Sequence, residues 1–491
     1  MKYNISRRKL YTLPFLLIGT WFFGQVGIGT LTPKGVLHVE SNTMGVVLPK
    51  VDNAADVVTP NDSTAVEATF VYDLAEKCTK FKKAAQWSDC LLDDSGVRNS
   101  VSSILSVGTE FKVKKASAGY QHTLMIGQDD NALYVAGDNS DGRTGLGRTS
   151  GNTGSFLLNF ASPLADASAG QIHSIAATVT GEVWAWGDNN VYRTGLGINT
   201  GDTGLPSKVA GFGTSETFGR AIKVQAGGQN SYVLTEDGKV YGVGGATGTS
   251  AAGPGTGAAA TAFTEVSIAE TVADISASQY TAAALTSDGK IYVWGLGTLG
   301  RLGTGGTANA TTPTLISLPG GVAAKQVSMG WNNGTAVSAD GKHVYRWGSG
   351  NSIGNSGTNL TTPTEISVPG FDQATDEIIA VATQRFDYGY GNLFVFTNKG
   401  VYVTGENSQG QLGIGNTTDV TNGLVAMTTT GVYNGTVFTG GSVGRQHTIL
   451  TTGENTSNTT VSYVAYGMGA INYRQLGAIT VQRRVPSVIT K

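Results

Sequence analysis

The chain has 491 residues, a formal net charge of −2 and only 14% charged residues, against about 25% in ordinary soluble domains. With no long basic block and almost no net charge, a phosphate-tracking nucleic-acid surface is excluded. Seventy glycines among 40% hydrophobic residues exclude a disordered chain and indicate many short strands joined by tight turns.

In chain order, "MKYNISRRKLYTLPFLLIGTWFFGQ" sets Lys2, Arg7, Arg8 and Lys9 ahead of an apolar run from Leu10 to Phe23. That is a signal-peptide layout over residues 1–25, too short to span a bilayer. Phe22 stands where a small residue is expected before cleavage, and the Arg7–Arg8 pair permits twin-arginine export beside the expected Sec route. No cysteine follows the run, so a lipid anchor is not expected, and no second long apolar segment occurs. Residues 26–106 form a small β-rich module holding the only cysteines, Cys78 and Cys90. In an exported chain two cysteines this close are expected to form a disulfide, stabilising by roughly 3 kcal/mol; in a reducing compartment they stay thiols.

Residues 107–491 are repetitive. "ASAGYQHTLMI" at 116–126 returns in degenerate form beginning at 167, 224, 275, 327, 381 and 441. Each copy precedes a second string, such as "VWAWGDNNVYRTGLG" or "IYVWGLGTLGRLGTG", and several pairs are joined by "TEDGK", "TSDGK" or "SADGK". Asp-Gly between two apolar runs predicts a two-residue hairpin with both central residues at positive φ. "TTPTLISLPG" and "TTPTEISVPG" then read as outer strands, because a proline is tolerated at a sheet edge. Seven units of about 55 residues and up to four strands predict a seven-bladed β-propeller, all-β in class. The closing "RRVPSVITK" resembles an outer strand without its hairpin, and Val488–Thr490 is expected to complete the first blade and clasp the ring.

The pattern "AGxxHT … DGxVYxWGxNxxGQLGxG" resembles the regulator-of-chromosome-condensation repeat, and the resemblance covers about residues 107–491. It implies a seven-bladed propeller; some members are nucleotide-exchange factors and others secreted inhibitors of enzymes. "QVGIGTLTPKGVLHV", "GVVLPKV" and the Cys78…Trp87…Cys90 ending look like the leader module of exported Bacteroidetes proteins. That resemblance implies a secreted or cell-surface protein of a Gram-negative bacterium.

The repeats remove the apparent catalytic motifs. "GNSIG" matches a nucleophile elbow at Ser352, but aligns with the loop "DNSDG" of the first unit. "GRTGLG" has no helix behind it to cradle a phosphate, so its glycines serve turns. The histidine position has seven occupants, His122, His173, Asn230, Thr281, Asn333, Asp387 and His447, which reads as a structural group bonding to backbone rather than a base or metal ligand. No cofactor, metal or catalytic residue is expected.

The residues just before that position vary from unit to unit. Tyr120, Gln121, Gln171, Gln229, Gln279, Tyr280, Trp331, Asn332, Arg385, Phe386, Arg445 and Gln446 would crown one face with aromatics, amides and arginines. Such side chains suit a protein hot spot or sugar stacking. The expected function is an exported, non-enzymatic binding protein for a protein or glycan. The competing readings are a propeller enzyme acting on extracellular glycans, which needs converging carboxylates, and a purely structural surface protein.

Overall fold

The structure is a computed structural model. It describes the backbone of seven short strands between Val26 and Asp93. Beyond these it describes residues 111–147, 151–158, 160–197, 201–245, 255, 258–386, 389–428, 432, 436–453, 463–470, 472, 475–476 and 483–489. In the N-terminal unit Val26–Ile28 pairs in parallel with Leu37–Val39, and Lys50–Val51, Phe70–Asp73, Cys78–Lys83 and Gln86–Trp87 follow one another in a sheet. The signal peptide and Cys90, hence the disulfide, lie outside the described residues.

From Val113 onward the chain builds seven four-stranded antiparallel sheets, each from consecutive strands. Their first strands line one central cavity, so the sheets are the blades of a seven-bladed β-propeller. Blade 1 comprises Val113–Ala118, His122–Gly127, Leu133–Asp138 and Asn152–Leu158; blade 7 begins at Phe438–Val443. Second strands such as Asn230–Thr235 and Asn392–Thr397 are buried throughout, because both faces pack on neighbouring blades. Outer strands such as Ala310–Ile316 and Leu360–Ile366 are largely solvated and carry Pro313 and Pro363, as an edge allows. Between each pair of blades lies an apolar layer; Phe394, Phe396, Leu412, Tyr466 and Met468 join blades 6 and 7.

Two details differ from the sequence reading. In the Asp-Gly hairpins only the glycine takes positive φ, 79° at Gly238 and 84° at Gly289. Thr235 accepts from the Gly238 amide at 2.9 Å and donates its own amide to Lys239 at 3.0 Å, so the connection is a four-residue turn closed by a left-handed glycine. The aspartate is held by the hydroxyl two residues before it, Thr235 to Asp237 at 2.6 Å and Ser338 to Asp340 at 2.5 Å.

The clasp expectation is overturned. Arg483–Val488 pairs with Ala465–Gly469 inside blade 7, while blade 1 draws its outer strand from Asn152–Leu158, a segment without the proline signal. The ring closes through side chains and short bridges instead. Lys112 pairs with Val464, Val113 N donates to Tyr463 O at 2.6 Å, and Ala118 N donates to Ser442 Oγ at 2.9 Å.

Candidate functional site

The first strand of each blade runs toward the loop that joins it to the second, so all seven of these first loops share one face. The loops between third and outer strands lie on the same face by the same alternation.

The histidines form a relay between blades. His122 Nε2 meets Ser174 Oγ at 2.9 Å, His173 Nε2 meets Ser231 Oγ at 2.9 Å, and His447 Nε2 meets Thr123 Oγ1 at 3.0 Å. Each hydroxyl then donates back to the preceding blade, to Arg143 O, Arg193 O and Gln475 O at 2.7–2.8 Å. The expected structural role holds, but the partner is the neighbouring blade's hydroxyl rather than backbone. The glycine three residues ahead makes room for the ring: a Cβ on Gly119, Gly170 or Gly444 would sit 2.6–2.8 Å from the imidazole Cε1. Blade 4, with Thr281 in place of His, carries Ser278 there. Gly170→Ser is therefore expected to cost about 1–3 kcal/mol, and adding His173→Thr should recover part of it, as urea unfolding would show.

Blade 6 departs from the sequence alignment. Its second strand starts at Asn392, which pairs with Gly405 as His122 pairs with Gly137. Asn392, not Asp387, occupies the histidine position, because the first loop of this blade is longer. Asp387 lies outside the described residues.

That longer loop turns Arg385 inward. Its Nε donates to Ala277 O at 2.9 Å, Nη1 to Ala169 O at 3.2 Å and Ser117 Oγ at 3.3 Å, and Nη2 to Ser168 Oγ at 3.3 Å and Ala226 O. From blade 6 one guanidinium thus reaches blades 1, 2, 3 and 4 and plugs the axis. Burial lowers its pKa to about 10, so it stays charged at neutral pH. Phe386 is fully buried, with its ring 5.3 Å from the guanidinium. Gln121, Gln279 and Asn332 are also buried. The remaining members of the predicted crown, Tyr120, Gln171, Gln229, Tyr280, Trp331, Arg445 and Gln446, are half-buried. Ser352 is buried and donates to Ser349 O at 2.7 Å, a loop bond rather than a nucleophile's setting.

Three arginines escaped the sequence reading although they share one repeat position. Arg143, Arg193 and Arg301 each hold their own loop through Nε at 2.9 Å. Each then reaches the next blade's first loop through Nη1, at Gln171 O, Gly228 O and Trp331 O. Arg301 also lies 6.0 Å from the Tyr280 ring, and Arg445 4.5 Å from that of Tyr120. Tyr120 and Tyr280, both half-buried, are thereby packed against cations.

Carboxylates gather at one point among the described residues, where Asp141, Asp188 and Asp202 bring oxygens within 4.8 Å of one another. Arg143 pairs with Asp141 at 2.5 Å and Arg193 with Asp188 at 3.2 Å. Asp202 is raised, by burial first and then by the two neighbouring aspartates.

With this geometry in view, the comparisons are specific. The family described as regulator of chromosome condensation (RCC1) repeat matches residues 180–234 and 288–337, and a second description of the same repeat matches 272–301. The chain carries RCC1 repeats. The ultraviolet-B receptor UVR8 of Arabidopsis thaliana is 27% identical over 317 residues, covering 63% of this chain and 68% of the receptor. The human E3 ubiquitin-protein ligase HERC2 is 28% identical over 312 residues, 61% of this chain but only 6% of the ligase. Among solved structures, human WBSCR16 aligns with TM-score 0.60 at 20% identity, covering 71% of this chain and 89% of that one. Yeast RCC1 (Prp20), solved with Kap60, aligns with TM-score 0.58 at 17% identity, covering 78% and 85%. At these identities the structures establish the shared fold. The chain is a seven-bladed propeller with RCC1 repeats at residues 180–234 and 288–337, and no described helix is long and apolar enough to cross a membrane.

Proposed function

We propose that the protein is an exported, non-enzymatic binding protein that holds a protein partner on its first-loop face. The observation that carries this is the pairing of half-exposed aromatics with fixed cations, Tyr120 under Arg445 and Tyr280 beside Arg301, with Trp331 in the adjoining blade. Aromatic and arginine anchors dominate protein hot spots, and anchors already immobilised lose little entropy on binding. A similar propeller, yeast RCC1, was solved bound to a protein, Kap60. The basic N-terminal flank and its apolar run support export, and the surface of the producing cell is the proposed setting.

The test is capture of extracellular proteins on the immobilised full chain, with the partner purified and its affinity measured, beside a glycan array. Trp331→Ala and Tyr280→Ala should each weaken the purified partner at least about tenfold while the melting temperature holds. Saturable glycan binding lost in the same variants would replace the protein partner with a glycan. Affinity indifferent to both substitutions would remove the face from consideration, and glycan turnover would restore the enzyme.

A further inference from the structure

Beneath the Arg385 plug, on the side away from the first loops, the axis widens into a polar cavity of about 230 Å³ lined by the inner strands of all seven blades. Arg385 spends its five N–H donors on the ring, so it gives the cavity a fixed charge rather than contacts. Lys115 and Lys223 lie on the wall, paired with Asp166 and Asp274 of the following blades. Three cations against two carboxylates leave one positive charge in excess.

Hydroxyls supply the second observation. Ser117, Ser276 and Ser442 line the cavity, and each Oγ accepts the backbone N–H of the next blade's inner strand, from Ala169, Met329 and Ala118, at 2.9 Å. This lacing joins inner strands, and it uses the serines as acceptors. Each hydroxyl still holds its own proton, and among the described residues none of the three has an acceptor for it. Each of these hydroxyls accepts a backbone N–H and keeps a spare proton, and three such protons beside a net positive axis favour a guest rich in acceptor oxygens.

We propose that this cavity binds a small oxyanion with several acceptor oxygens, of the size of a short polycarboxylate. A volume below the roughly 300–1,000 Å³ of drug-sized sites matches a small guest. The excess charge stands in a partly desolvated channel, where attraction to an anion is stronger than in bulk water. Lys223 and Asp274, 25% and 29% exposed, keep the wall in contact with solvent, so the site can exchange its guest.

Titration calorimetry on the full chain at matched ionic strength tests this, with citrate, succinate and sulfate as probes and sorbitol as the neutral control. The expected result is saturable one-to-one binding of at least one anion and none of sorbitol; sulfate binding without the carboxylates would assign an inorganic guest. Gln225→Glu places a carboxylate on the cavity wall and should weaken binding at least about tenfold, without the collapse expected of an Arg385 variant. If that variant fails to fold, Lys223→Gln removes one positive charge and should give the same loss. No saturable binding at millimolar anion, binding unchanged in the folded variant, or equal binding of sorbitol would each overturn the proposal.

Discussion

Arg385→Met is expected to lower the unfolding free energy by about 3 kcal/mol and to broaden the urea transition. The substitution keeps most of the side-chain volume but removes all five donors, stranding the carbonyls of Ala169, Ala226 and Ala277 at the axis. A buried carbonyl left unsatisfied costs roughly 1–3 kcal/mol, and relief of the guanidinium's desolvation offsets part of the sum. Burial lowers the guanidinium pKa only to about 10, so at neutral pH the ring still holds the charged form. Arg385→Lys should recover part of the loss at most, since one ammonium cannot reach four blades from a single point. Broadening is expected because Arg385 ties together inner strands as distant in sequence as Ser117. The urea midpoint and slope read both effects, and an unchanged midpoint would show that the plug carries no stability.

The architecture was legible because its signals are local. Each Asp-Gly hairpin, each apolar second strand and each proline-bearing outer strand is written within about ten residues, and seven copies correct one another's degeneracy. The ring's closure was not legible. Whether Arg483–Val488 serves blade 7 or blade 1 depends on which third strand it meets, and Asn152–Leu158 lacks a proline to announce it as an outer strand.

The candidate site was legible in part for a related reason. Counting along the repeat located Tyr120, Tyr280, Trp331 and Arg445, and the structure leaves all four half-buried on one face. The same count failed in blade 6, where added loop residues shift the second strand to Asn392 and send Arg385 and Phe386 inward. An alignment fixed on sequence spacing cannot register an insertion whose effect is on direction. Arg143, Arg193 and Arg301 were available to the same comparison, since one repeat position holds arginine three times. Their role depends on a neighbouring blade's carbonyl, which no single unit contains.

The second large effect is on pH dependence, through the buried histidines. Burial pushes His122 and His173 well below the ordinary value and His447 to about 3; at His122 the nearby Arg143 adds to it, and at His173 Arg193 does. Geometry gives the same direction. Each Nδ1 is buried without a hydrogen-bond partner and lies against the glycine three residues ahead, so a second ring proton would have no acceptor. Unfolded, the same imidazoles titrate near 6.5. Below that pH the unfolded chain binds protons that the folded ring refuses. The histidine contribution is therefore complete above about pH 6.5 and is lost as pH falls, for His447 until about pH 3. For His447 the slope approaches about 1.4 kcal/mol per pH unit below pH 6.5, so moving from pH 7 to 5 should cost roughly 2 kcal/mol, and His122 and His173 add to it in the same direction. His447→Asn, the residue that blades 3, 5 and 6 use at this position, should remove that roughly 2 kcal/mol of pH dependence. Urea unfolding of both proteins at pH 7, 6 and 5 isolates the term, because carboxylates titrate alike in each. Parallel stability curves would mean that His447 takes up its proton in the folded ring, and that the bond to Thr123 survives it.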